Sequence, residues 1–197
     1  MALDLEKQQM EFLDICHTNI QREGLAGLVN WLMTADFFRA PASTRFHGAY
    51  PGGLCQHSLD VYNYALRASN LVDQPLDLES LTVASLFHDV CKVNFYKVDR
   101  RNQKVNGVWT EVPYYTIEEK FAFGGHGSKS VFLVERFMRL KTDEAIAINC
   151  HMGFSDQGNV SSISQAYERC PLAWVIHVAD EAATWMLHRT SDDEENA

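Results

Sequence analysis

Several things are missing from this sequence, and each absence narrows the field. No apolar run approaches the ~20 residues that a membrane-spanning helix needs, and stretches such as Ala173–Ile176 fall far short. A membrane partner is therefore not expected. Basic residues are scarce, with 17 Lys and Arg against 26 Asp and Glu and a formal charge of -9. Proteins that coat duplex DNA draw most of their affinity from a basic face, so duplex DNA is excluded as an expected partner. Small anionic substrates are not excluded, because a metal or a local basic patch overrides the global sign. The five cysteines (Cys16, Cys55, Cys91, Cys150 and Cys170) contain no CxxC pair. An odd set of this kind reads as reduced, mostly buried thiols in a cytosol. The opening MALDLEKQQM has no basic segment leading into an apolar core, so no secretory leader is expected and the expected compartment is the cytoplasm.

What is present is an ordinary globular mixture over 197 residues, 46% apolar and 22% charged. At ~150 residues per domain it reads as a single domain over 1–190, followed by a disordered acidic tail, Ser191–Ala197. Apolar positions recur at helical spacing from Asp4 to Ile20 and from Leu25 to Phe38, where Pro41 ends the pattern. Arg39–Gly53 is rich in turn formers and reads as an ordered loop. Helices resume near Leu54–Ser69 and Leu78–Lys92, the second opened by Asp77 as N-cap. Further helices are expected near Ser128–Leu140, Asp143–His151 and Pro171–His188, with a loop around Gly153–Ser162. The fold class is thus all-α, with one exception. Phe95–Phe123 is rich in Tyr, Val, Trp and Thr, with Asn106-Gly107 at a turn position. It reads as an inserted β-hairpin with strands near Phe95–Arg101 and Val108–Tyr115.

Polar groups appear where a plain helical core should have none. In Leu81–Val93 (LTVASLFHDVCKV) almost every neighbour of His88 and Asp89 is apolar or small. A buried carboxylate must be paired, protonated or bound to a cation. Asp180 lies inside the apolar run Ala173–Ala183, and His57 sits among Leu54, Leu59 and Val61. Singly, each has an ordinary role as a core histidine or an ion-pair partner, and His17, His177 and His188 are left in that class, His177 as a support for Asp180. Joint occurrence carries the argument. Adjacent residues on a helix point ~100° apart, so His88 and Asp89 need further ligands from other helices, as in metal sites built inside bundles. His57 and Asp180 are the natural suppliers. His126 in GGHGS and His151 in NCHMG sit at a helix start and a helix end, beside glycines that permit close approach.

The ordered set His57, His88-Asp89 and Asp180 resembles the HD-domain metal-dependent phosphohydrolase superfamily, over roughly Phe46 to Trp185. The fragments RFHGAYPGGLCQHSLDV and LFHDVCK are especially similar to the HD domain of bacterial 3′-to-5′ exoribonucleases, without the OB-fold that those proteins carry. One departure is Cys91, where related motifs often have glycine; it is small enough to be tolerated. The resemblance implies an HD-domain helical bundle. It also implies that His57, His88, Asp89 and Asp180 hold one divalent ion. His126 and His151, with Asp89 bridging, would hold a second or else face the phosphate as donors. Mn, Fe, Ni, Co, Zn and Mg all stay open as the cofactor, one or two per chain. Such a centre polarises a phosphoryl oxygen and lowers the pKa of water from 15.7 to ~7, about 12 kcal/mol in favour of hydroxide.

The expected catalytic residues are Asp89, Lys92, His126 and His151. Lys92, in HDxxK, is a phosphate partner or a snorkelling surface lysine. His47 would line the pocket mouth. The hairpin concentrates Lys97, Arg100, Arg101 and Lys104, so Arg100 and Arg101 could contact phosphates and Tyr114 or Tyr115 stack on a base. A solvated ribbon or a homodimer contact fits the same pattern. The expected function is hydrolysis of a phosphomonoester, phosphoanhydride or phosphodiester in a nucleotide or short oligonucleotide. The alternatives are a di-iron oxygenase and a non-catalytic metal-stabilised nucleotide-binding module.

Overall fold

A computed structural model of the chain describes residues 4–45, 47–118, 123–155 and 160–186. The acidic tail and His188 lie outside the described residues. The helices are α1 (Leu5–Asn19), α2 (Leu25–Thr34), α3 (Gly53–Ala68), α4 (Leu78–Phe87), α5 (His126–Glu135), α6 (Thr142–Cys150), α7 (Val160–Arg169) and α8 (Pro171–Trp185). Between α4 and α5 stand two antiparallel strands, β1 (Tyr96–Val105) and β2 (Val108–Ile117). The chain is all-α with one small hairpin, as its sequence implies.

Local chemistry sets the helix starts. Asp4 accepts the Lys7 N–H at 3.1 Å ahead of α1. Asp77 accepts the N–H and hydroxyl of Ser80 ahead of α4, and Pro171 occupies the first turn of α8. Helix α4 is buried at every position from Ser80 to Phe87, as an all-round apolar helix must be. Burial of Leu81, Val83, Leu86 and Phe87 contributes about 1.5–3 kcal/mol each. Helices α3, α6 and α8 pack around it. All five cysteines are free and buried, as expected.

Four segments differ from the sequence reading. The helix expected to reach Phe38 stops at Thr34, because Ala35 turns extended (ψ -160°). Phe37 and Phe38 still reach the core from the turn, with ring centroids 5.0 and 5.5 Å from that of Phe12. The helix expected over Leu78–Lys92 breaks after Phe87. His88 keeps helical angles, but Asp89 (φ -111°, ψ 18°) leaves the helix, and a 3-10 turn follows over Val90–Lys92. The helix expected over Ser128–Leu140 spans His126–Glu135 instead, its end closed by the Leu140 N–H donating to Glu135 Oε1 at 2.7 Å. The expected loop Gly153–Ser162 contains a short 3-10 turn, and α7 begins inside it.

The hairpin is longer than its sequence suggests, with ten pairs running from Tyr96↔Ile117 to Val105↔Val108. Asn106 (φ 50°) and Gly107 (φ 84°) form its turn, both left-handed as a type I′ connection demands. Its base is tied to the body by Tyr96 Oη donating to the Ala42 carbonyl at 3.1 Å, and by Glu118 N–H donating to Phe95 O at 2.7 Å. At ~3.3 Å per residue the turn stands roughly 30 Å from that base.

Candidate metal centre

The break after α4 resolves the difficulty that adjacent helical side chains diverge. Once Asp89 leaves the helix, its carboxylate and the His88 imidazole face the same interior point, with His88 Nε2 3.5 Å from Asp89 Oδ2. Helix α3 supplies His57 one turn after its start; its Nε2 lies 3.2 Å from His88 Nε2, 3.6 Å from Asp89 Oδ2 and 3.0 Å from Asp180 Oδ1. Helix α8 brings Asp180, and the end of α6 brings His151, whose Nε2 is 3.6 Å from Asp89 Oδ1. Ligand atoms of His57, His88 and Asp89 lie within 4.8 Å of one another, as do those of His88, His151 and Asp180. Five residues from four separate segments therefore converge. The histidines and Asp89 are almost wholly buried, and Asp180 is 13% exposed.

His88 and His151 are positioned alike. Each is the residue that ends its helix, with φ near -57°. Each directs Nδ1 at a carbonyl three residues earlier, Ser85 O at 2.8 Å and Ile148 O at 2.7 Å. A carbonyl only accepts, so Nδ1 carries the hydrogen and Nε2 faces the cluster. Metal-ligating histidines are oriented in this way, by a second hydrogen bond through the other ring nitrogen. The close approach of α5 to α6 helps to hold the arrangement. A Cβ on Gly127 would stand 2.3 Å from Asn149 O and 2.6 Å from Ile148 O.

Electrostatics reinforce the convergence. Burial would raise both carboxylates, but Lys92, His88 and His151 hold Asp89 well below the usual range, and His57 holds Asp180 low. Burial lowers His57 against the pull of Asp180. It acts on His151 in the same sense, yet the facing Asp89 carboxylate raises that imidazole overall. Lys92 Nζ lies 2.6 Å from Asp89 Oδ2 with its side chain 14% exposed. Burial works against that ammonium, and Asp89 keeps its pKa above the ordinary lysine value. Lys92 is thus a member of the cluster and not a snorkelling surface lysine.

Other expected site residues are distributed unevenly. His47 packs its ring 4.9 Å from that of His57, and its Nε2 is 3.5 Å from Thr184 Oγ1. Burial, then the neighbouring His57 and Lys92, lowers it to about 4. His126 approaches through Cys91, whose Sγ is 3.4 Å from His126 Nδ1. Arg100 and Arg101 are not brought into the cluster. Arg100 pairs with Glu111 at 2.9 Å, and Arg101 lies over the Tyr114 ring at 5.0 Å. Tyr115 is half-buried opposite Val98. His177 supports His151 and not Asp180, since its Nδ1 donates to the His151 carbonyl at 2.8 Å. Cys91, two positions after Asp89, directs its Sγ to Asp89 Oδ1 at 3.7 Å.

The residues present fit a divalent cation on two observations. Buried His151 Nε2 has no hydrogen-bond partner, because 3.6 Å to Asp89 is too long for one. Of the two carboxylates, Asp89 is paired with the Lys92 ammonium, whereas Asp180 faces the His57 imidazole, whose charged form burial disfavours, and burying an uncompensated charge costs several kcal/mol. Among the described residues no helix is long and apolar enough to cross a membrane. No curated protein and no solved structure matches the chain. The family model for the HD domain matches residues 54–185, a span that contains every residue of the cluster. The chain belongs to the HD-domain family, which is generally hydrolytic and metal-dependent.

Proposed function

We propose that this chain hydrolyses a phosphate ester or phosphoanhydride of a nucleotide or short oligonucleotide. The carrying observation is the convergence of His57, His88, Asp89, His151 and Asp180 in one cluster, as two overlapping groups of ligand atoms that share His88. His57, His88, Asp89 and Asp180 would hold one divalent ion, and Asp89, His126 and His151 a second. Bound there, such an ion supplies Lewis acidity toward a phosphoryl oxygen and brings the pKa of water near neutrality.

The chain's own groups do the rest. Lys92 Nζ has three N–H donors and uses one on Asp89 at 2.6 Å, which leaves donors for a phosphate oxygen. Asp89 keeps Lys92 protonated, so its charge is present at neutral pH. His47 lies against His57 beside the cluster, where it can contact the ester or leaving group. The hairpin acts at longer range. Arg100 is four residues along β1 from Tyr96, roughly 13 Å, so Arg100, Arg101 and Tyr115 serve a substrate longer than one nucleotide. That reach supports an oligonucleotide.

The test is a phosphate- and nucleoside-release screen of nucleotides and short oligonucleotides with Mn²⁺, Mg²⁺, Co²⁺ and Ni²⁺, run beside Asp89→Ala. Release by the wild type that is lost in the variant supports hydrolysis at this site. Release that survives in Asp89→Ala places it elsewhere. Iron-dependent O₂ consumption without phosphate release would favour the oxygenase reading.

A further inference from the structure

We infer that Cys91 is a metal ligand, its sulfur completing a cation site with Asp89 Oδ1 and the His126 and His151 rings. The inference rests on reading the cluster as a metal centre, and it assigns a thiolate donor to that centre. The two oxygens of Asp89 face different sets of groups. Oδ2 faces His57, His88 and Lys92 at 3.6, 3.5 and 2.6 Å. Oδ1 faces His151 Nε2 at 3.6 Å and Cys91 Sγ at 3.7 Å. The same sulfur lies 3.4 Å from His126 Nδ1.

Three donor spacings, 3.6 Å from Oδ1 to His151, 3.7 Å from Oδ1 to Cys91 and 3.4 Å from Cys91 to His126, fall in the range that an ion would impose. A tetrahedral centre with metal–sulfur bonds of about 2.3 Å and metal–nitrogen or –oxygen bonds of about 2.0–2.2 Å holds neighbouring donors roughly 3.3–3.7 Å apart. The Cys91 contacts also lie at hydrogen-bond distance for sulfur, but hydrogen bonding leaves His151 unexplained: its Nε2, on a side chain 0% exposed, points at Oδ1 with no hydrogen-bond partner. The backbone holds Cys91 in place, its N–H donating to Ser130 Oγ at 3.1 Å, so that α5 fixes both Cys91 and His126.

A sulfur donor changes which cation suits the site. Carboxylate and imidazole alone accept Mn²⁺ or Mg²⁺ alongside heavier ions, whereas thiolate favours Zn²⁺ or Fe²⁺. Binding displaces the thiol proton to solvent, since the thiolate is the ligating form.

X-ray absorption on the zinc-loaded protein, with zinc content measured in the same sample, tests the inference. The expected result is a sulfur scatterer at about 2.3 Å in the wild type and in Cys150→Ala, absent from Cys91→Ser and Cys91→Ala, with at least tenfold weaker zinc binding at one site in both Cys91 variants. Bound zinc with only nitrogen and oxygen neighbours in the wild type overturns the role of Cys91 and leaves the metal centre standing. A sulfur shell that persists without Cys91 also overturns it. Failure of the wild type to bind any divalent ion overturns both. Should the Cys91 variants fail to fold, thiolate-to-metal absorption of the cobalt-loaded wild type, tested for persistence in Cys150→Ala, decides the matter: its absence from the wild type or its loss in Cys150→Ala overturns the inference.

Discussion

Lys92 Nζ lies 2.6 Å from Asp89 Oδ2, three residues back across the 3-10 turn, in a pair whose side chains are 14% and 3% exposed. Two consequences follow from removing the ammonium. Lys92→Ala leaves a buried carboxylate unpaired, and breaking a buried pair destabilises a fold by about 3–5 kcal/mol. Denaturant unfolding in a chelator measures that loss. The variant also leaves the cluster one charge more negative, so added Mn²⁺ or Zn²⁺ should raise its melting temperature more than it raises the wild type's. Equal shifts would mean that no cation binds near Lys92.

Far from the cluster, Arg22 clasps Glu144 through two bonds, at 2.7 and 2.8 Å, and reaches Glu79 at 2.8 Å. Glu144 is wholly buried. Hydrogen bonds from Lys141 and Ser80 hold Asp77 at about 2, and the Arg22 hydrogen bond holds Glu79 at about 2. Burial would raise Glu144, and Arg22 keeps it below its ordinary value. Carboxylates depressed in the fold contribute stability that is complete above their ordinary pKa and lost as pH falls through the folded value. Stability should therefore drop between about pH 4.5 and about 2. Arg22→Ala should be less stable at neutral pH by about 3–5 kcal/mol and lose less on acidification. Thermal unfolding across that range gives both numbers.

Much of this was legible in the sequence, for identifiable reasons. Asp77 and Pro171 announced helix starts because capping is local chemistry, and Asn106-Gly107 announced its turn because few residues tolerate that backbone. His57, His88, Asp89 and Asp180 stood out as polar groups in apolar runs. The break after Phe87 was not legible, because the apolar run continues through Val90 and Cys91 and only tertiary packing ends the helix. Helix α7 escaped notice because its sequence, VSSISQAYER, is mostly polar; Ile163, Ala166 and Tyr167 carried the helical spacing. The role of His177 depends on the path of the chain after α6, which spacing alone does not give.

Gly127 tests how the α5–α6 contact sets the site. With Asn149 O and Ile148 O only 2.3 and 2.6 Å from a hypothetical Cβ, Gly127→Ala must push the helices apart. Overpacking of this kind costs about 1–3 kcal/mol. Because α5 starts at His126 and α6 delivers His151, the variant should also bind divalent ions more weakly. Denaturant unfolding and a metal titration on the same sample check the two effects together.

The hairpin separates long substrates from short ones. Replacing both Arg100 and Arg101 with alanine should raise KM several-fold for an oligonucleotide while leaving a mononucleotide unaffected, since neither arginine reaches the cluster. Both side chains sit on the exposed strand, so stability should change by no more than about 0.5 kcal/mol. An unchanged oligonucleotide KM would remove the hairpin from substrate binding.

The most direct test of the central claim counts ions. Elemental analysis of the purified protein after dialysis against a metal buffer should find one or two divalent ions per chain. Asp89→Ala should bind at least one fewer, because it removes the carboxylate that both proposed ion positions share. Wild-type protein that retains no divalent ion, or an Asp89→Ala variant with the full wild-type content, would contradict the account.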